Sequence, residues 1–264
     1  MSDLIPGLFL KALLASVLIG GICSTIGVFV VTRRLSFLGD GLAHAAFGGI
    51  ALGIFLHLDP LLVALPFTVI VALVIAYTHH RTRLSADTAI GTFFALSIAV
   101  GVLLIHLARA TGVDIHSFLF GDVTAVSRRD LITSASVTAI AATGLIAFWP
   151  RLAYATFDPD LAEISGVPVR ALEYLLFVLV AIVVVVGMRV VGILLVASFL
   201  VIPAATARMV ASTLVGVTGV SVVLGVSSGI AGLIASYALD IPSGATMVIF
   251  QGTAFMIALA MGRR

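Results

Sequence analysis

Two side chains able to hold a divalent cation, Asp40 and His44, stand four residues apart inside an apolar run long enough to cross a lipid bilayer. In an α-helix that spacing puts both on one face, so a carboxylate oxygen and an imidazole nitrogen can be offered to one point. This donor pair suits zinc, manganese or ferrous iron, whereas potassium calls for rings of carbonyls and copper(I) for sulfur ligands. Two ligands fall short of a closed tetrahedral set, which fits an ion that is passed on rather than stored. Burying either charge unpaired in hydrocarbon costs at least ~2.5 kcal/mol, so such residues signal function by default. The alternative is a structural Asp40–His44 ion pair that braces the helices near their cytoplasmic ends.

Other polar residues carry weaker signals. His57 and Asp59 beyond this run, and Asp114, His116 and Asp122 further on, are placed to receive ions but read first as solvated loop residues. Asp240 and Pro242 are candidates for shaping an outer gate. His79 and His80, next to Arg81 and Arg83, read as a basic anchor at a membrane surface. Gln251, in the middle of the last apolar run, is expected to donate to a neighbouring helix.

The elements that must position these groups are membrane helices. Crossing the hydrocarbon core takes about 20 apolar residues, and the chain divides into about nine such runs. They lie near 8–31, 37–57, 60–78, 87–108, 130–148, 171–188, 191–208, 214–237 and 243–262. Only Arg189-Val190 separates the sixth from the seventh, and a re-entrant piece near Pro203 would reduce the count to eight. The fold class expected is an all-α polytopic membrane bundle, with residues 1–264 forming one transmembrane domain. Placing Arg33 and Arg34 in the cytoplasm also puts Arg81, Arg83, Arg151, Arg170, Arg208, Arg263 and Arg264 there. It leaves Lys11, Arg109, Arg128, Arg129 and Arg189 outside, so the N-terminus is external and the C-terminus internal. Met1 to Gly7 carry Asp3 and no basic cluster, and no cleaved signal peptide is expected.

Lipid tails give helices no hydrophobic reason to associate, so close approach must come from small residues. Gly41, Ala45, Gly49 and Gly53 recur every four residues beside the Asp40–His44 face and predict a smooth stripe for a neighbouring backbone. Ser221, Gly225 and Gly229 repeat the device, with generic packing as their simpler reading.

Composition sets the class and excludes others. With 61% hydrophobic and 10% charged residues, the chain is far more apolar than a soluble domain. A net charge of +2 offers no basic surface for nucleic acid. The single cysteine, Cys23, lies in an apolar run and rules out a disulfide framework within the chain. Lys11 is the only lysine and is not preceded by a glycine-rich loop, so the chain has no phosphate-binding motif for ATP hydrolysis. His-Glu-x-x-His is absent too, which removes the zinc-protease reading. Metal here would be cargo, with no tightly bound cofactor.

One polar interruption, Phe157 to Pro168, carries its own helix punctuation: Asp158 caps, Pro159 starts and Gly166 stops. A short acidic helix held by such signals reads as a docking lever, with a stiff loop as the alternative.

Taken together, several stretches resemble the permease subunits of ATP-binding-cassette importers for zinc, manganese or ferrous iron. They are Gly27 to Val31 with Arg33 to His44, then Asp87-Thr88-Ala89-Ile90-Gly91-Thr92-Phe93-Phe94, then the Phe157-Asp158-Pro159 loop. Arg189 to Val196, Leu200 to Arg208 and Ser236 to Thr246 complete the set. Family members often have Ala or Ser at Gly41 and a Pro near Gly48, departures that leave the ligands untouched.

The resemblance implies one half of a homodimeric pore in a prokaryotic plasma (inner) membrane. It implies a cytoplasmic ATP-binding subunit and an extracytoplasmic metal-binding protein as partners, with the chain itself not an enzyme. Asp40 and His44 would be the metal pair. Asp158, Pro159, Asp160, Leu161, Glu163, Ser165 and Gly166 would form the coupling helix that docks on the ATPase. A secondary ion-coupled metal transporter, working without an ATPase, is the competing reading.

Overall fold

The computed structural model describes residues 4–82, 84–108 and 127–261, and every element in them is helical. The order is α1 (Leu4–Thr32), α2 (Leu38–Phe55), α3 (Pro60–Arg81), α4 (Ala86–Leu107) and α5 (Arg128–Phe157). There follow α6 (Pro159–Ile164), α7 (Val169–Val191), α8 (Ile193–Val210), α9 (Leu214–Leu239) and α10 (Ser243–Met261). All but the short α6 are long and apolar enough to span a membrane, nine among the described residues. The expected spans are therefore all present. The break expected at Arg189-Val190 lies slightly further on: both residues belong to α7, and the chain breaks at Gly192, whose φ of 86° is a region other residues avoid. Pro203 lies within the continuous α8, so no re-entrant piece arises there.

The helix starts follow local chemistry. Asp59 accepts a 2.9 Å bond from the Leu61 amide, with Pro60 in the first turn of α3. Ser85 caps α4 through the Thr88 amide at 3.2 Å. Ser127 and Asp130 cap each other's amides at 3.1 and 3.2 Å, a reciprocal box at the head of α5. Asp158 takes the Leu161 amide at 2.9 Å with Pro159 behind it, and Gly166, at φ 80°, ends α6.

The chain divides into two compact units. One comprises residues 1–34, 116–149 and 186–264, in which α1, α8, α9 and α10 pack on one another. Its contacts are backbone-close. A Cβ on Gly27 would collide with the Leu200 carbonyl, one on Gly225 with Ser24, and one on Gly232 would lie 2.6 Å from the Met247 Cα. Ser221 donates to the Ser24 carbonyl at 2.9 Å, and Arg208 reaches the Val31 carbonyl at the end of α1 at 3.3 Å. The latter places a cation where a helix presents its negative end.

The other unit comprises residues 35–115 and 150–185, with α2 packed between α3 and α4. Here the small residues of α2 divide between two neighbours. Gly41 abuts Ile90 and Gly48 abuts Ser97, both of α4, whereas Gly49 abuts Ala64 and Gly53 abuts Pro60, both of α3. A row of every fourth residue advances by about 40° per step around an α-helix, so the single stripe expected for one neighbour winds from one helix to the next.

Candidate functional site

Asp40 lies in the first turn of α2 and His44 one turn further on. The His44 Nδ1 stands 3.0 Å from the Asp40 main-chain carbonyl and 3.5 Å from the Asp40 Oδ1. Both atoms facing it are acceptors, so Nδ1 is the donor, and in the neutral form of the ring the lone pair lies on Nε2. A histidine oriented in this way is prepared to ligate through Nε2. Its ring also packs edge-on against Phe94 of α4, centroids 4.7 Å apart. The side chains are 24% exposed for His44 and 46% for Asp40, so both remain reachable rather than sealed in a core.

Beside Asp40 lies a cavity of about 290 Å³. Phe37 and Asp40 line it from one side and Asp87, Ile90, Gly91 and Phe94 from the other. The numbering explains the construction. Residues 87, 90, 91 and 94 follow the i, i+3, i+4, i+7 pattern of one helix face, and residues 37, 40, 41 and 44 repeat it around the start of α2. Two such faces meet where Gly41 lets Ile90 come close, and Gly91, whose Cβ would meet nothing within 4 Å, leaves the space open.

In sequence Asp87 is only one member of a family-like stretch, and the matching spacing of the two faces is the signal that pairs it with Asp40. Among the described residues, no three His, Cys, Asp or Glu side chains are arranged to hold an ion together. Asp40 and His44 therefore stand as a pair, with no third such side chain beside them among the described residues.

The remaining candidates are dispersed. Asp59 is the α3 cap and His57 an exposed residue at φ 56°. Asp240 is the left-handed C-cap of α9, Ser236 donates to the Ile241 carbonyl, and Pro242 accepts from Thr246 at 2.8 Å. Asp114, His116, Asp122 and Arg83 lie outside the described residues. Gln251 is 2% exposed, and no described neighbouring helix takes the expected bond from its amide. His79 and His80 do more than anchor: their Nε2 atoms stand 4.0 and 3.5 Å from opposite oxygens of Glu173 on α7.

On α6, Ala162 is buried while Leu161 and Ile164 are exposed, as is Phe157 at the end of α5. Leu161 and Ile164, three apart on α6, form an apolar ridge, with exposed Asp160 and Glu163 beside it. Ser165 pairs with the Tyr154 hydroxyl at 2.9 Å and steadies the far end.

Comparison with known proteins agrees with this architecture. The chain is 37% identical over 248 residues to "Manganese transport system membrane protein MntC" of Halalkalibacterium halodurans, covering 94% of this chain and 85% of that one. It is 35% identical over 248 residues to "High-affinity zinc uptake system membrane protein ZnuB" of Haemophilus influenzae, covering 94% and 95%. Among solved structures it resembles "PsaBC from Streptococcus pneumoniae in complex with Fab", with a TM-score of 0.84, 32% identity and coverage of 97% and 94%. These similarities bear out the likeness to metal-importer permeases read from the residues. The family model described as "ABC 3 transport family" matches residues 7–262, and the chain, a multi-pass membrane protein, belongs to that family.

Proposed function

We propose that this chain is the permease subunit of an ATP-driven importer of divalent transition metal ions, a single domain over residues 1–264 that pairs with a second copy to enclose the path. Manganese and zinc are the cargoes named for its relatives. The observation that carries the reading is His44, its Nδ1 engaged by the Asp40 carbonyl and its Nε2 available, beside a carboxylate at the edge of a cavity. One oxygen and one nitrogen ligand from each copy, completed by water, hold an ion long enough to select it and loosely enough to release it.

The ion arrives on an extracytoplasmic metal-binding protein, and Asp240 and Pro242 shape the outer gate. A cytoplasmic ATP-binding subunit seats the exposed ridge of α6, with Asp158, Pro159, Asp160, Leu161, Glu163, Ser165 and Gly166 forming the docking element. ATP binding and hydrolysis occur on that partner, and this chain performs no chemistry of its own. The caps on both ends of α6 support its use as a lever, since a frayed helix would absorb the partner's motion instead of transmitting it.

The test is uptake of Mn²⁺ or Zn²⁺ by the assembled complex in proteoliposomes. His44→Ala is expected to abolish uptake while assembly with the ATPase persists, and omitting ATP is expected to do the same. Unchanged uptake in His44→Ala would remove the pair from the path. Uptake driven by an ion gradient without ATP would establish the secondary-transporter reading instead.

A further inference from the structure

We propose that Phe94 sets the ion preference of the Asp40–His44 pair: by holding the imidazole in place from the opposite helix, it favours ions that bind nitrogen strongly, zinc above manganese. This rests on the function proposed above and adds a positioning residue that touches no ion itself. The two helices meet along a ladder of contacts. Ile90 abuts Gly41, Phe94 meets His44, and the Ser97 carbonyl would lie 2.8 Å from a Cβ on Gly48. Residues 41, 44 and 48 share one face of α2, and residues 90, 94 and 97 share one face of α4. Phe94 thus stands about one turn from a tight contact on either side, and its backbone cannot draw away from His44.

The imidazole is consequently held on two sides. Its Nδ1 donates to the Asp40 carbonyl at 3.0 Å, a bond within α2 about which the ring can still rock. The Phe94 ring opposes that movement from α4, with centroids 4.7 Å apart and planes 62° apart, the edge-on geometry that aromatic rings prefer. A ring fixed in this way has little freedom left to lose when an ion arrives. Groups that orient a metal-binding histidine tune its affinity without touching the ion. Zinc gains most from a fixed nitrogen, whereas manganese relies more on carboxylate and water oxygens. Phe94 also lines the cavity beside Asp40, so one ring adjoins the imidazole and the space next to the carboxylate.

The measurement is equilibrium binding of Zn²⁺ and of Mn²⁺, each alone, to the whole complex with its ATPase subunit, alongside thermal unfolding of each variant. Binding lost in His44→Ala defines the share of this site. Phe94→Leu removes the ring but keeps apolar bulk, and is expected to weaken Zn²⁺ binding there about tenfold and Mn²⁺ binding by less, at an unchanged unfolding temperature. Phe94→Tyr keeps the ring and is expected to restore both. Unchanged Zn²⁺ binding in Phe94→Leu, where His44→Ala weakens it, would overturn this proposal and leave the parent reading standing. Losses in Phe94→Leu that are equal for the two ions would overturn the preference. Equal losses in the Leu and Tyr variants, with a lower unfolding temperature in both, would mark a packing residue and overturn it as well. Normal Zn²⁺ binding and normal uptake in His44→Ala would overturn the parent reading and this proposal with it.

Discussion

Glycine has opposite uses at two places, the packed face of α1 and the open face of α4. Where α1 meets α8 and α9, Gly27 and Gly225 sit against the Leu200 carbonyl and Ser24, so each missing side chain is replaced by a neighbour's atoms. Along α4, Gly91 is missing a side chain and nothing takes its place. The first arrangement gives the dispersion contact that holds apolar helices together in lipid. The second leaves a cavity with a carboxylate on each side. Small residues therefore do not by themselves indicate a core or a path. The deciding factor is what the opposing helix presents: backbone and small side chains at Gly27 and Gly225, ring and carboxylate groups around Gly91.

Adding one methyl group at the tightest contact tests the comparison most severely. Gly27→Ala puts a Cβ into the Leu200 carbonyl, and backbone cannot swing aside as a side-chain tip can. We expect a loss of about 3 kcal/mol, the upper range of overpacking, and a large fall in detergent-solubilised unfolding temperature. An unfolding temperature equal to that of the parent chain would mean that α1 and α8 are not in backbone contact there.

A smaller effect is expected at Glu173, whose side chain is 14% exposed and faces His79 and His80. Arg81 and Arg170 make no ion pair with it among the described residues, so its charge partners are imidazoles. Glu173→Gln is expected to lower stability by about 0.5–1 kcal/mol, because it removes the carboxylate that joins the two imidazoles of α3 to α7. Thermal unfolding of the two proteins decides it. An unchanged unfolding temperature would show that this carboxylate does not link α3 to α7.

Much of this was legible in the residues, for physical reasons that also mark where legibility ended. Span positions follow from hydrocarbon thickness, so runs of apolar residues located all nine long helices of the described residues. The caps at Asp158 and Gly166 are local, set by residues a few positions apart, and were readable as well. Partners across helices were not. The every-fourth-residue row on α2 did not reveal that Gly41 meets α4 while Gly49 meets α3, because winding depends on where two other helices stand. Asp87 escaped notice for the same reason: its pairing with Asp40 exists only once two faces are opposed. The hinge at Gly192 was displaced toward Arg189, since a charge draws attention in an apolar run whereas the backbone turns at the residue that tolerates φ of 86°.

The smallest effect expected is the most discriminating for the opening contrast. Gly91 is exposed, sits inside α4 and has open space where its Cβ would be. Gly91→Ala should therefore gain helix propensity with no steric penalty, raising stability by up to about 1 kcal/mol. A methyl group is small against a cavity of about 290 Å³, so uptake should change little, while Gly91→Leu should slow it by filling that cavity. Stability gained with Ala and transport lost with Leu would mark Gly91 as a residue retained for the space it leaves. A destabilised Ala variant would instead mean that α4 is closely packed at this point, and Gly91 would then serve as Gly27 and Gly225 do.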